Sequence, residues 1–193
     1  ENIVRHLDSL LTIWYVRHSE SVKADSVYNY NEEDIPEFSD SVIQENLKNL
    51  PMLVDMTYND KVKDYINFYA VKARYQMKLL LGLSEYYFPM FEQILDAYDL
   101  PLELKYMPII ESALNPRAKS WAGATGIWQF MLNTGKMYDL KINTFVDERR
   151  DPLAATHAAA RFLKDLYGVY NNWTLVIAAY NCGPGTVNRA IAR

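Results

Sequence analysis

Glu111 sits in Tyr106-Met-Pro-Ile-Ile-Glu-Ser-Ala-Leu-Asn-Pro116, with Ile109, Ile110, Ala113 and Leu114 close by and a helix stop at Asn115-Pro116. A carboxylate in the last turn of a helix faces the negative end of the helix dipole, and aliphatic neighbours solvate it poorly. Both effects disfavour the charged form and raise the pKa, which is what a general acid needs near neutral pH. The competing reading of this residue is a solvent-facing or salt-bridged glutamate.

Downstream, Ser120-Trp-Ala-Gly-Ala-Thr-Gly-Ile-Trp-Gln-Phe-Met131 places Gly123 and Gly126 three apart, where a backbone can turn tightly or approach a ligand closely. A helix bearing Trp128, Gln129 and Met131 is expected to follow. Ser120 and Gln129 offer neutral hydrogen bonds, and the tryptophans offer flat apolar faces. That combination suits a sugar, polar at its edges and apolar on its ring faces. The plainer alternatives are a core position for Trp128 and a loop or cap role for Ser120.

Helices must position these groups. Ile3, Leu7, Leu10, Leu11 and Trp14 return every three or four residues and predict an opening amphipathic helix docked on the core; Ser19 to Asp40 is polar and acidic and reads as an irregular connection. Helical patterns resume over Ser41 to Leu50, Asn59 to Leu81, and Ser84 to about Tyr98, with Ser84 as a cap and Pro89 awkwardly inside; Pro101 stands where another helix would start. Asp151-Pro152 is a strong helix start, from which Leu153, Thr156 with His157, Ala160, Leu163, Leu166 with Tyr167, and Tyr170 trace one apolar face. Trp173 to Tyr180 reads as a buried central helix, and Gly183-Pro184 opens a last one. No segment alternates with period two, so the expected class is all-α.

Composition narrows the function classes. Of the seven glycines in 193 residues, six lie between Gly123 and Gly185; the glycine-poor first part argues against nucleotide-binding loops, which need glycines early in a strand-loop-helix unit. One cysteine, Cys182, and three scattered histidines leave no disulfide framework and no metal cluster to expect; Cys182 itself reads as a small packing residue, buried beside the cleft. No run approaches the roughly 18 apolar residues of a membrane span. Residues 1–100 carry 17 acids and 9 bases and residues 101–193 carry 7 acids and 11 bases, which suggests an acidic extension on a mildly basic functional part. The bases form no dense run, so nucleic acid is not an expected partner. With no signal peptide ahead of Glu1, composition leaves a cytosolic protein and the trimmed form of an exported one equally open.

Glu111-Ser-x-x-Asn-Pro-x-Ala-x-Ser120, Gly123-Ala-x-Gly-Ile-Trp-Gln-Phe-Met131, Val146-Asp-Glu-Arg-Arg-Asp-Pro152 and Ala179-Tyr-Asn-Cys-Gly-Pro-Gly185 follow one another in an order that resembles the soluble-lytic-transglycosylase family of murein-cleaving enzymes, over roughly residues 85–193. The resemblance implies a lysozyme-like helical catalytic domain over 76–193, preceded by a helical, acidic N-terminal extension over 1–75. It implies Glu111 as the catalytic acid and base, with Ser120, Gln129, Met131, Tyr180 and Asn181 lining the sugar cleft. It also implies an exported monomer acting on peptidoglycan strands in the periplasm or at the outer membrane of a Gram-negative bacterium, with any membrane tether lying outside this chain. Family members continue with a Pro-x-Glu-Thr-x-x-Tyr segment, so the chain is expected to stop short of the domain's last piece.

Ordinary glycosidases use two carboxyl groups. Around Glu111 no second one is obvious: Glu103 lies on the incoming helix, and Asp147, Glu148 and Asp151 share a loop with Arg149 and Arg150 that is expected to tie them into ion pairs. In the mechanism the resemblance implies, Glu111 protonates the oxygen between N-acetylmuramic acid and N-acetylglucosamine, then draws the proton from the sugar's own C6 hydroxyl as it attacks C1. No water, metal or cofactor takes part. Tyr180 and Asn181 could hydrogen-bond Glu111 or the acetamido group; the alternative is a buried tyrosine beside a helix-stop asparagine. A lysozyme-type hydrolase and a non-catalytic peptidoglycan-binding module are the competing functions.

Overall fold

The computed structural model describes residues 39–193, residue 55 excepted. The opening helix read at Ile3 to Trp14 lies outside these residues, as does nearly all of the connection read at Ser19 to Asp40. Every regular element among the described residues is helical, and strand-like pairing is limited to isolated antiparallel bridges such as Lys119–Thr125 and Thr125–Phe130. The all-α expectation is met.

Helix α1 (Asp40–Asn49) stops before Pro51, as a proline disfavours helix in the residue ahead of it. Helix α2 (Asp60–Asn67) starts at Asn59, whose side chain accepts the Val62 amide at 3.0 Å. Asp40 joins the two, accepting from the Tyr58 hydroxyl at 3.1 Å and pairing with Lys63 at 2.7 Å. A single wide turn, Phe68–Lys72, leads from α2 into α3 (Arg74–Ala97). The break expected between Leu81 and Ser84 is absent. Ser84 lies inside α3 and its hydroxyl donates to the Leu81 carbonyl at 2.7 Å, so it has a partner within the helix and need not cap a new one. Pro89 is carried inside the same helix.

After α3 the chain passes Pro101 into a tight turn of helix, Leu102–Tyr106, and then α4 (Met107–Ser112). Helix α5 (Leu132–Met137) follows an irregular stretch. Helix α6 (Pro152–Tyr170) begins as read, with Asp151 accepting the Ala154 amide at 2.9 Å and proline in the first turn. Helices α7 (Trp173–Cys182) and α8 (Pro184–Ile191) complete the described chain.

The core lies between α3, α6 and α7. Phe91 and Leu95 of α3, Leu163 of α6 and Val176 of α7 are fully buried, and Trp128 fills the space between them with its ring 5.6 Å from that of Phe91. Ala155, Ala158 and Ala159 are also fully buried, so α6 meets its neighbours through methyl groups. Burial of each large side chain stabilises by about 1.5–3 kcal/mol. Helix α7 is less enclosed than read: Val176 and Ala179 are buried, while Thr174, Asn181 and Cys182 are exposed. One side packs on α6 and the C-terminal end opens to solvent, which also places the Cys182 thiol outside the core.

Two glycines should respond oppositely to alanine. Gly126 has φ +87°, and a Cβ there would lie 1.6 Å from the carbonyl oxygen of Arg149, whereas Gly82 is helical with nothing within 4 Å. Gly126→Ala destabilises by about 3 kcal/mol or more, and Gly82→Ala stabilises by about 0.5–1 kcal/mol. Denaturant unfolding checks both; a Gly126→Ala chain as stable as its parent would contradict the contact.

Candidate active site

Helix α4 is short because its end is wound the other way. Ala113 and Leu114 have φ of +53° and +60°, with the Ala113 amide bonded to the Ile109 carbonyl and the Leu114 amide to that of Pro108. Two left-handed non-glycine residues in succession are strained, and such strain persists only where the surroundings hold it. Burial of the Leu114 side chain does part of that work. Ser112 does another part, its hydroxyl 2.8 Å from the Ile127 carbonyl, which ties the end of α4 to the segment leading into Trp128.

Glu111 is thereby fixed one residue from the end of α4, half-buried. Burial pushes its pKa above the ordinary value of 4.5, the direction read from its neighbours. Among the described residues, none of the ion pairs involves it. The salt-bridged alternative is therefore not what the fold builds.

The segment after Gly126 departs from the expected helix. Gln129 adopts φ +50°, Thr125 and Phe130 exchange backbone hydrogen bonds at 3.0 and 3.1 Å, and helix begins only at Leu132, with Met131 in the capping position. A tight turn, which periodicity does not reveal, wins here. The Gln129 side-chain amide donates to the carbonyls of Gly126 at 2.8 Å and Ala118 at 3.4 Å, so its donors are directed at protein. Trp128 is core, as its plainer reading had it, and its indole N–H donates to Thr156 Oγ1 at 2.8 Å.

A pocket of about 320 Å³ opens between this turn and the end of α7, lined by Gln129, Met131, Thr134, Phe162, Tyr180 and Asn181 among others. Four of the residues read from sequence thus come together. Tyr180 donates its hydroxyl to the Trp128 carbonyl at 2.8 Å rather than to Glu111. Its pKa is pushed well above the ordinary 10.0, first by burial and then by the charge of Glu111, which places the two groups within electrostatic reach. Ser120 stands apart from the lining, its Oγ accepting the Ala124 amide at 3.0 Å as a loop staple. Thr134 and Phe162 line the pocket without having been picked out for it, and Cys182, read as buried beside the cleft, lines it from an exposed position. Phe162 and Thr134 sit on helices with no local motif, so only the packing reveals them.

The carboxyls weighed as partners for Glu111 are engaged elsewhere. The Glu103 carboxylate accepts the Leu53 amide. Asp147 pairs with Arg149 at 2.7 Å, which holds its carboxyl below the usual range, and Glu148 accepts the Lys141 amide at 2.7 Å. Of the expected ion pairs, Asp147–Arg149 forms, while Glu148 turns to Lys141 and Asp151 to the cap of α6. The residues lining the pocket include no carboxylate. Among the described residues no group of histidine, cysteine, aspartate and glutamate could hold a metal ion.

Arg149 is a structural centre that goes beyond the ion pair read for it. It is buried, and Nη1 donates to the carbonyls of Gly123 at 3.3 Å and Phe130 at 3.2 Å, while Nε and Nη2 donate to Asp147. The sequence signal was the Asp-x-Arg spacing, which places a carboxylate within reach of its own clamp.

Glu111 also predicts a stability signature. In the unfolded chain its carboxyl ionises near the ordinary 4.5, so between that value and the raised native one the fold retains a proton the unfolded chain has lost. Stability from this group is complete below 4.5 and falls as pH rises through the native value, leaving a poorly solvated charge. Glu111→Gln removes that charge and raises the thermal midpoint at neutral pH, a gain that shrinks on acidification towards 4.5. Equal midpoints at neutral pH would show that the site carries no such strain.

The family model for the transglycosylase SLT domain matches residues 89–193. The chain is 37% identical over 134 residues to membrane-bound lytic murein transglycosylase D of Escherichia coli (strain K12), covering 69% of this chain and 29% of that protein. It is 35% identical over 82 residues to the soluble lytic murein transglycosylase of the same strain, covering 40% and 13%. The chain therefore spans less than a third of the length of either relative. The crystal structure of the 70 kDa soluble lytic transglycosylase from Escherichia coli superposes with a TM-score of 0.48 at 24% identity, covering 63% of this chain and 23% of that one. With more than half of its residues inside the family match, and Glu111 and the pocket within it, this chain belongs to the transglycosylase SLT domain family.

Proposed function

We propose that this chain cleaves the glycan strands of peptidoglycan without water, as a lytic transglycosylase with Glu111 as its one acid and base. The observation that carries the reading is a half-buried carboxyl with a raised pKa that stands outside the pocket lining but within electrostatic reach of Tyr180, while no carboxylate lines the pocket itself. Glycosidases that recruit water or a protein nucleophile need a second carboxyl group. The printed names of the relatives, both murein transglycosylases, agree with it.

The protonated Glu111 gives its proton to the oxygen bridging N-acetylmuramic acid and N-acetylglucosamine as the C1–O bond breaks. The acetamido group of the muramic acid steadies the cation-like ring. Glu111, now a carboxylate, takes the proton of the C6 hydroxyl while that oxygen bonds to C1, closing a 1,6-anhydro ring and restoring the acid. Tyr180 holds the Trp128 carbonyl and thereby the turn that carries Gln129, a positioning role; Met131 and Asn181 meet the substrate at the pocket rim. Ser120 contributes from the loop behind that turn. A single chain suffices, since Glu111 and the pocket belong to one protomer. The site of action is the periplasm or the outer membrane; among the described residues no helix is long and apolar enough to cross a membrane.

Mass spectrometry of digested peptidoglycan tests the reading. The expected products end in 1,6-anhydromuramic acid, one water lighter than hydrolysis products, and Glu111→Gln lowers their rate of release by about 10²–10⁴-fold. Reducing ends would instead identify a hydrolase, and unaltered cleavage by Glu111→Gln would remove Glu111 from the reaction.

A further inference from the structure

Trp121 buries nothing: its relative accessibility is 103%, so the whole indole stands in solvent. Its loop is nonetheless pinned. Lys119 and Thr125 pair as an antiparallel bridge, the Ser120 amide donates to the Ala124 carbonyl at 2.9 Å, and the Gly123 amide donates to the Ser120 carbonyl at 3.0 Å. Trp121 therefore stands near the tip of a short stapled loop. Its neighbours Ala122 and Gly123 are small, and the space beside Gly123 is open.

A second loop repeats the arrangement. Phe145 is 96% exposed, while Asn143 Oδ1 accepts the amides of Phe145 and Val146 at 2.8 and 2.9 Å, and Ile142 bridges to Asp147. Arg149 grips the Gly123 carbonyl of the first loop and the Asp147 carboxylate of the second. One buried guanidinium thus anchors both loops, each two residues from an exposed ring. The Trp121 loop is also joined to the pocket wall, because the pocket-lining Gln129 bonds the carbonyls of Ala118 and Gly126 at its two stems.

Leaving two large rings in water forgoes the stabilisation that burial would give each of them. Holding them on pinned loops removes in advance the entropy that a contact would otherwise cost. A pyranose presents a flat face of C–H groups that fits one isolated aromatic plane while its hydroxyls stay in water. We propose that Trp121 and Phe145 are glycan contacts outside the pocket, stacking on sugar rings of a strand that runs on beyond the cleavage point. The inference rests on the peptidoglycan reading and adds to it that the preferred substrate is a strand long enough to reach both the pocket and these loops.

The test measures retention of the Glu111→Gln chain on purified insoluble peptidoglycan, with and without Trp121→Ala and Phe145→Ala. Each substitution weakens retention about tenfold, Trp121→Phe recovers most of the loss, and thermal midpoints stay unchanged because both rings are exposed. Unchanged retention overturns the inference alone, provided that the parent chain still cleaves peptidoglycan. A parent chain that is neither retained nor active overturns the functional reading with it. Binding to anionic phospholipid vesicles that falls with Trp121→Ala, while peptidoglycan retention does not, assigns the ring to a membrane and also overturns the inference.

Discussion

The buried guanidinium of Arg149 is the tie on which the cleft depends. Three irregular segments meet there: the loop through Gly123, the turn ending at Phe130 and the approach to α6 at Asp147. None of them has a helix or sheet to define its course. Removing a charge from water is costly, and it is tolerated here because a carboxylate and two carbonyls replace the lost hydration. The five N–H groups of arginine radiate in a plane, which lets one side chain reach all three segments at once; a lysine ammonium has neither the reach nor the fork. The absence of a side chain at Gly126 completes the tie, since the Arg149 backbone occupies the space a Cβ would need.

On that frame the fold places a group it would be more stable without. Glu111 is half-buried beside Tyr180, and the same burial that disfavours its charge keeps a proton available for transfer. The left-handed pair Ala113 and Leu114 and the left-handed Gln129 belong to the same pattern of local cost borne by a well-packed surround. Trp128 links the two levels. Its indole N–H reaches Thr156 on the core helix, and its carbonyl receives the Tyr180 hydroxyl at the pocket.

What could be read in advance was what short-range chemistry determines. Asp151-Pro152 and Gly183-Pro184 announce helix starts by stereochemistry alone, and the aliphatic setting of Glu111 announces its raised pKa. The differences lie where the same local pattern allows two outcomes. Ser84 looks like a cap until its bond to the Leu81 carbonyl shows that it is content within a helix. Trp128 to Met131 look helical because nothing local reveals that Thr125 will pair with Phe130. Cys182 looks buried because apolar residues precede it, yet it lies where α7 emerges from the core. Phe162 enters the pocket from the middle of α6, a position that periodicity marks only as part of a face.

That exposed Cys182 has a practical consequence. It is the only thiol in the chain and it stands on the rim of the pocket. A maleimide dye can therefore be attached there with no other cysteine to remove first. Its emission would report when the pocket fills, giving a direct optical signal of occupancy.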